Sequence, residues 1–549
     1  MERIEKNLKD QMKASNTVSY PDFDRMWSSI QQNELKVVGS ESIPLRPRRR
    51  KQTAIVVGIS VALMATPVYA ALTYDWSSLL SYRAGIQSAL EQGLGQTIEQ
   101  SVTNNDITLT LHTAFTDENR TFLLYSLDPG SSWDGKQVSF DHIGLKDYQG
   151  NLIDGNYSHK WNAELGVFQG YFETEWVVDG SKADVEFTME NIRFTGDGKQ
   201  IINFDPHNPK TQVFQIQKDG IGSVTLQSFD QSGDKMLLRS AVTFTDPELQ
   251  HRSWVRIQAT NDKNEPIIEA GTPIFGTPGD SGEFLNQQIF KSDQLRAKGT
   301  QFQLGYDRTL GTANGTWSVN MALSKKQLES GSFKEELNIP LDQAPGGTEI
   351  HEMIVTPTQV RLILTHEEKY TRVPYMKYQL DVGGTLLNGG IWYVPDQSDR
   401  TELRFEMTGL DAASLTNKPV SLIAKHRVDE HAGDKNPIRL TGISGEHQSL
   451  TTNIAGYPIT WTYYMKENNL YVESFSSDPA FGGVNQTYYF DGKEPNYGKS
   501  AMISLLGNGS NKEMDVYENF DKSELEIYIW HYTTEKPEDE LRVQLKNGK

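Results

Sequence analysis

Residues Thr53 to Leu72 read TAIVVGISVALMATPVYAAL, twenty consecutive positions without a charge. No other feature constrains the chain as tightly, because a helix of that length, rising about 1.5 Å per residue, just spans a hydrocarbon core about 30 Å thick. Arg46, Arg48, Arg49, Arg50 and Lys51 precede the run, and the first charges after it are the isolated Asp75 and Arg83. The positive-inside rule then keeps the N-terminus in the cytoplasm and exports residues 73 onward. Tyr69, Tyr74 and Trp76 stand where an interfacial aromatic belt belongs. Val68-Tyr69-Ala70 resembles a signal-peptidase site, but 52 residues precede the apolar run where a signal peptide has a handful. A buried core helix is not normally flanked by such a cluster of positive charge. The expectation is a single-pass protein of the cell membrane, with a cytoplasmic head at 1–52, a transmembrane helix at 53–72 and an extracellular remainder.

At 549 residues the chain exceeds one hydrophobic core, which stops growing at roughly 250 to 300 residues, so several domains are expected. The absence of cysteine excludes disulfides, thiolate zinc sites and a cysteine nucleophile. Residues 1–52 carry eleven Lys/Arg and seven Asp/Glu, or +4, which leaves −23 for the remainder of a chain whose total is −19. Nucleic-acid binding is therefore not expected, since it is driven by neutralising phosphates with basic side chains.

Within the head, Ile4, Leu8 and Met12 form one helical stripe. Ser19-Tyr20-Pro21-Asp22 then has the form of an N-terminal cap, and Phe23, Met26, Trp27 and Ile30 follow at helical spacing. Two helices this short cannot bury their apolar faces alone. Those faces dock a cytoplasmic partner, pack on each other, or lie on the inner leaflet beside the Arg cluster.

Beyond a helical stretch expected near Leu79 to Gln100, the pattern turns to period two. Ile107, Leu109 and Leu111 alternate with Thr108, Thr110 and His112. Turn signals recur at Asp154-Gly155-Asn156, Gly196-Asp197-Gly198 and Asn314-Gly315. Strongly alternating strands recur as Val185-Phe187-Met189, Trp317-Val319-Met321, Leu403-Phe405-Met407 and Leu525-Ile527-Ile529, each followed by a further strand, the last by Leu541 to Leu545. The fold class expected is mainly β: N-terminal cytoplasmic helices, one transmembrane helix, then a tandem array of immunoglobulin-like β-sandwiches. The units expected are a helical stalk plus first sandwich at 73–218, and further sandwiches at 219–344, 345–443 and 444–549.

No catalytic constellation is legible, and the chain is not expected to be an enzyme. Gly279-Asp280-Ser281-Gly282 copies the tetrapeptide around a serine-protease nucleophile, but a triad needs a positioned His and Asp, and Thr277 to Gly282 are turn formers. The eleven histidines include no HExxH pair, and His426 and His431 beside Asp429 and Glu430 read as a solvated hairpin end. Gly93-Leu94-Gly95 lacks the strand and third glycine of a dinucleotide loop. No cofactor or metal is expected.

The basic head, the anchor ending Thr66-Pro67-Val68-Tyr69-Ala70, the segment Leu90-Glu91-Gln92-Gly93-Leu94 and the run Ile98 to Leu109 together resemble one family. It is the set of membrane-anchored, anti-sigma-factor-like proteins of Gram-positive bacilli known as domain of unknown function 4179. The resemblance covers roughly residues 20 to 130, and the later units resemble the immunoglobulin-like domains that follow it. It implies a regulator that holds a cytoplasmic sigma factor through its head and senses an envelope ligand outside. Without cysteine, and without histidine before residue 112, a zinc-fold clamp is excluded, which leaves Phe23, Met26, Trp27 and Ile30 to hold the sigma factor. The competing expectation is a surface-anchored structural or adhesive envelope protein.

Overall fold

A computed structural model describes residues 74–548, apart from 131–136, 232–233, 247–248, 250–253, 280–281, 330, 395–396 and 503–510. Alternating apolar residues give strands with one buried face, and these assemble into antiparallel sheets. In the first half of the described region, Gln96–Asn104, Ile107–Thr116, Thr121–Asp128, Val167–Thr174 and Asn156–Asn162 lie side by side in that order. A second sheet orders Val255–Thr260, Gln301–Ser324, Lys182–Ile202, Gln137–Lys146 and Leu152–Ile153. A third orders Ile274–Pro278, Phe284–Lys291, Lys235–Phe244, Ile221–Gln231 and Gln212–Lys218. Leu109, Leu111, Tyr125, Phe168 and Phe172 of the first sheet meet Leu145, Phe187, Met189, Trp317 and Leu323 of the second as one core. Farther along the same long strands, Ile202, Phe302 and Leu304 meet Val224, Leu226, Met236 and Phe290 of the third sheet as another.

The second half repeats the strand order of this plan, without a separate counterpart of Leu152–Ile153 and with Ile438–Thr441 and Glu494–Tyr497 added. Phe333–Pro340, Glu349–Val355, Gln359–Thr365, Arg400–Glu406 and Thr385–Tyr393 reproduce the first order. Phe481–Asp491, Glu524–Lys546, Val420–Ala432 and Tyr375–Val382 reproduce the second. Lys499–Met502, Glu513–Tyr517, Asn469–Ser476, Tyr457–Lys466 and Gln448–Ile454 reproduce the third. Two further cores result, one around Leu362, Leu380, Phe405 and Leu422 and one around Trp461, Leu470, Phe481 and Ile527. Because Thr385–Tyr393 pairs with both Arg400–Glu406 and Tyr375–Val382, the first two sheets of this half merge into one of eleven strands.

The expected fold class is therefore corrected. Mainly β holds, but the described helices are few and short: Ala84–Glu91, Ser292–Leu295, Lys326–Glu329 and Ala412–Asn417. Among the described residues no helix is long and apolar enough to cross a membrane, since their apolar residues are dealt out alternately along strands. The cytoplasmic helices expected within 1–52 and the transmembrane helix at 53–72 lie outside the described residues. The sandwiches also differ from a tandem array of separate immunoglobulin-like units, because Lys182–Ile202 and Gln301–Ser324 in the first half and Glu524–Lys546 in the second each run through two cores.

Turn signals yielded to pairing in those long strands. Gly196-Asp197-Gly198 lies within Lys182–Ile202, paired throughout with Gln301–Ser324. Asn314-Gly315 forms a bulge opposite Asn191, whose φ is +49° and whose Oδ1 accepts the Gly315 amide at 3.0 Å. The second half has the same device: residues 537–539 bulge opposite His426, whose φ is +59° and whose Nε2 lies 2.7 Å from Glu535 Oε2. Leu525 to Ile529 and Leu541 to Leu545 are consequently one strand, and His426 and His431 sit within a strand and not at a hairpin end.

The stretch expected to be helical from Leu79 to Gln100 is helix only over Ala84–Glu91. Gly93, at φ +71°, takes the left-handed conformation that ends helices. Gly95 then lets the backbone approach Thr113 so closely that a Cβ would fall 2.3 Å from its Cγ2. The strand Gln96–Asn104 follows and turns at Asn105 and Asp106, both at positive φ, into Ile107–Thr116.

Candidate functional site: the junction between the two halves

Two equivalent hairpin turns meet where the halves join. Residues 117–120 connect Ile107–Thr116 to Thr121–Asp128, and residues 356–358 connect Glu349–Val355 to Gln359–Thr365. Asp117 organises the first turn by accepting the Asn119 amide at 2.7 Å and the Arg120 amide at 3.0 Å, as an Asx turn does. Its other oxygen accepts the Thr358 hydroxyl at 2.7 Å, and Asn119 Nδ2 donates to the Gln359 carbonyl at 3.2 Å.

Arg120 lies at the centre, only 2% exposed. Its guanidinium donates to Glu173 Oε1 at 2.8 Å, to Glu406 Oε1 at 2.8 Å and Oε2 at 3.0 Å, and to Thr358 Oγ1 and O at 3.3 Å. Burial by itself would make the cation easier to lose, but Glu406 and Glu173 outweigh it and hold the guanidinium well above its ordinary pKa. Glu173 is the reciprocal case: burial pushes its carboxyl up, and Arg120 and Arg83 more than reverse that. Arg83 donates to Glu173 at 2.6 Å, and the Gly85 amide at the start of the first helix donates to Glu406 at 3.1 Å. A Cβ on Gly85 would fall 1.8 Å from the Thr358 carbonyl oxygen, so that close approach requires glycine.

Around this centre Arg404 bonds Glu175 of the first half and Glu402, and stacks over Trp392 at 5.1 Å. Arg361 bonds Glu402 at 3.2 Å, and burial, reinforced by Arg404, lowers it to about 10. Lys325 and Lys334 both reach Glu118. A cleft of about 710 Å³ opens beside the junction, lined by Arg83, Arg120, Glu173, Trp392, Arg404 and Glu406 among others. Every one of these charges faces an opposite charge, so the geometry suits a clamp between the two halves. A second contact between the halves is apolar, with Phe229 and Leu237 against Tyr464, Tyr471, Met502 and Val516.

Against known proteins, one likeness covers the chain's beginning. Residues 46–128 match the family described as Domain of unknown function (DUF4179). The matched DUF4179 segment includes Asp117, Asn119 and Arg120, so one face of the clamp belongs to it. A solved structure, the crystal structure of the conserved domain protein from Bacillus anthracis, is 10% identical over 57% of this chain and 90% of its own, with a TM-score of 0.16. No curated protein matches.

The sites expected from sequence fall elsewhere. Phe23, Met26, Trp27 and Ile30, and the orientation residues Arg46, Arg48, Arg49, Arg50 and Lys51, lie outside the described residues. So do Asp280 and Ser281, while the Gly279 amide bonds the Glu283 carbonyl at 2.8 Å as a loop closure. Among the described residues no group of three or more His, Cys, Asp and Glu side chains is placed to hold a metal. The clamp itself had no sequence signal beyond Asp117-Glu118-Asn119-Arg120 as a polar turn, because its partners stand some 53 and 286 positions away.

Proposed function

We propose that this chain is a non-enzymatic regulator of the anti-sigma-factor kind, in which the head binds a cytoplasmic sigma factor through Phe23, Met26, Trp27 and Ile30 and the β-body responds to a ligand. The clamp carries the reading. Residues 117–120 belong to the same matched segment that begins at residue 46, and they grip the second half through the buried Arg120. The full chain, tagged and expressed in its own cells, retains a sigma factor on purification, and Trp27→Ala releases it. Purification that recovers no sigma factor rejects the reading. The ion pairs that tie the halves together favour a second reading, a structural or adhesive envelope protein; under it, deleting residues 1–45 leaves transcription unchanged.

A further inference from the structure

The internal repeat puts two cavities at the same address. In each half a cleft opens where the long strands leave one core for the next, an elbow formed by Lys182–Ile202 and Gln301–Ser324 in the first half and by Glu524–Lys546 in the second. The first, of about 720 Å³, lies between residues 137–139, 195–199, 254–258 and 305–307. The second, of about 660 Å³, lies between residues 373–376 and 427–430, with Asn485 and Thr533, and is closed on one side by residues 342–345, 370, 372, 391 and 393, which have no counterpart in the first. By strand order, Gln137–Lys146 corresponds to Tyr375–Val382, Lys182–Ile202 to Val420–Ala432, Val255–Thr260 to Phe481–Asp491, and Gln301–Ser324 to Glu524–Lys546. Both volumes fall within the roughly 300–1,000 Å³ typical of small-ligand clefts.

Each cleft displays large aromatic rings to water. Trp254, 68% exposed, meets Phe275 edge to face with centroids 6.0 Å apart. Tyr370 and Tyr393 are 82% and 56% exposed at the other cleft. Tyr370 also holds φ at +61°, a conformation that costs a bulky residue about 1 to 3 kcal/mol. Beneath the rings lie hydrogen-bonding groups of both kinds. Asp197 and Asp307 face each other across their strand pair beside Arg256 and Gln258. In the second cleft Arg427 donates to Asp429 at 2.8 Å and to the Gln343 carbonyl at 2.9 Å, and stacks over Tyr375 at 5.9 Å.

This lining discriminates among ligand classes. A phosphorylated ligand would face Asp197 and Asp307 in one cleft and Asp429 and Glu430 in the other. A strongly cationic one would face Arg256 and Arg427. A neutral pyranose satisfies both clefts: its C–H faces cover exposed aromatic rings, and its hydroxyls donate to carboxylates while accepting from guanidinium and amide groups. We propose that the two elbow clefts are a pair of carbohydrate-binding sites, with Trp254 and Phe275 stacking sugar rings in one and Tyr370 and Tyr393, from different elements of the repeat, in the other. Two sites on one chain can bind a polymer with avidity that neither has alone, where the polymer reaches both. The proposal supplies a ligand class for the β-body and rests on that part of the functional reading; its readout is independent of any sigma factor.

The full chain is titrated calorimetrically with chitotetraose, cellotetraose and maltotetraose. At least one sugar binds with a stoichiometry of two. Trp254→Ala removes one site and Tyr370→Ala with Tyr393→Ala removes the other, each lost site weakening at least tenfold. Because these rings are exposed, the variants keep the wild-type unfolding transition, which separates lost binding from lost folding. Binding of none of the three sugars overturns the proposal, as does affinity that survives all three substitutions.

Discussion

Replacing Arg120 with alanine removes a buried cation that serves two carboxylates from opposite halves. Its distances of 2.8 Å to both Glu173 and Glu406 place it among charge-assisted bonds, which contribute about 1.5 to 3 kcal/mol each. They do not add fully. Glu173 keeps Arg83, and Glu406 keeps the Gly85 amide and Gln359 Nε2, so neither acid is wholly abandoned. Breaking a buried pair from one side generally costs about 3 to 5 kcal/mol, and the lower end of that range is expected here. Unfolding of four cores is not a single transition, so the assay is amide hydrogen exchange across residues 117–122 and 356–361, with calorimetry alongside. Exchange in both turns accelerates by roughly a hundredfold or more, from 1.4 kcal/mol per factor of ten, while the Trp461 core exchanges as before. Adding Glu406→Gln to the variant restores part of the protection, because the stranded charge was the larger loss. The comparison is Arg439→Ala, whose pair with Glu524 is open to solvent and whose loss leaves exchange unchanged. If Arg120→Ala exchanges like Arg439→Ala, the clamp does not hold the halves together.

Three further outcomes follow from the same structure. Burial raises Asp515 to about 6 against the bonds from Thr487, so its favourable contribution is complete below about 4 and lost as pH rises through 6; Asp515→Asn, which can still accept from Thr487, should stabilise the fourth sandwich by about 1 to 3 kcal/mol at pH 8 and by little at pH 4, read as urea midpoints at the two pH values. Burial lowers His112 and His159 to about 4, so the unfolded chain takes up protons first as pH falls below about 6.5, and stability drops between there and pH 4; an acid titration followed by tryptophan fluorescence should lose its steep limb in a His112→Gln, His159→Gln double variant. Gly85→Ala raises helix propensity by about 1 kcal/mol in isolation, yet should lower the melting temperature, because its Cβ collides with the Thr358 carbonyl. A rise in melting temperature would show that the helix is not pressed against the second half.

Much of the β-structure was legible because strand periodicity is local. Val185, Phe187 and Met189 alternate inward in the sequence and are buried in the first core, as are Trp317, Val319 and Met321. Turn chemistry was less reliable. Asp154-Gly155-Asn156 does separate two strands, whereas Asn314-Gly315 becomes a bulge, since a partner strand already in register supplied more hydrogen bonds than the turn would have saved.

What the sequence determined by itself was composition and alternation: no cysteine, a charge divided between head and body, and strands whose buried faces can be counted residue by residue. What only the tertiary structure decided was which strands run on through two cores, that the plan repeats, and that Arg120 of one turn meets Glu406 of a distant strand. The physical reason is range. Alternation is imposed by the pleat every second residue, while register between strands and ion pairs hundreds of positions apart depend on the whole chain being folded before any of their energy is gained.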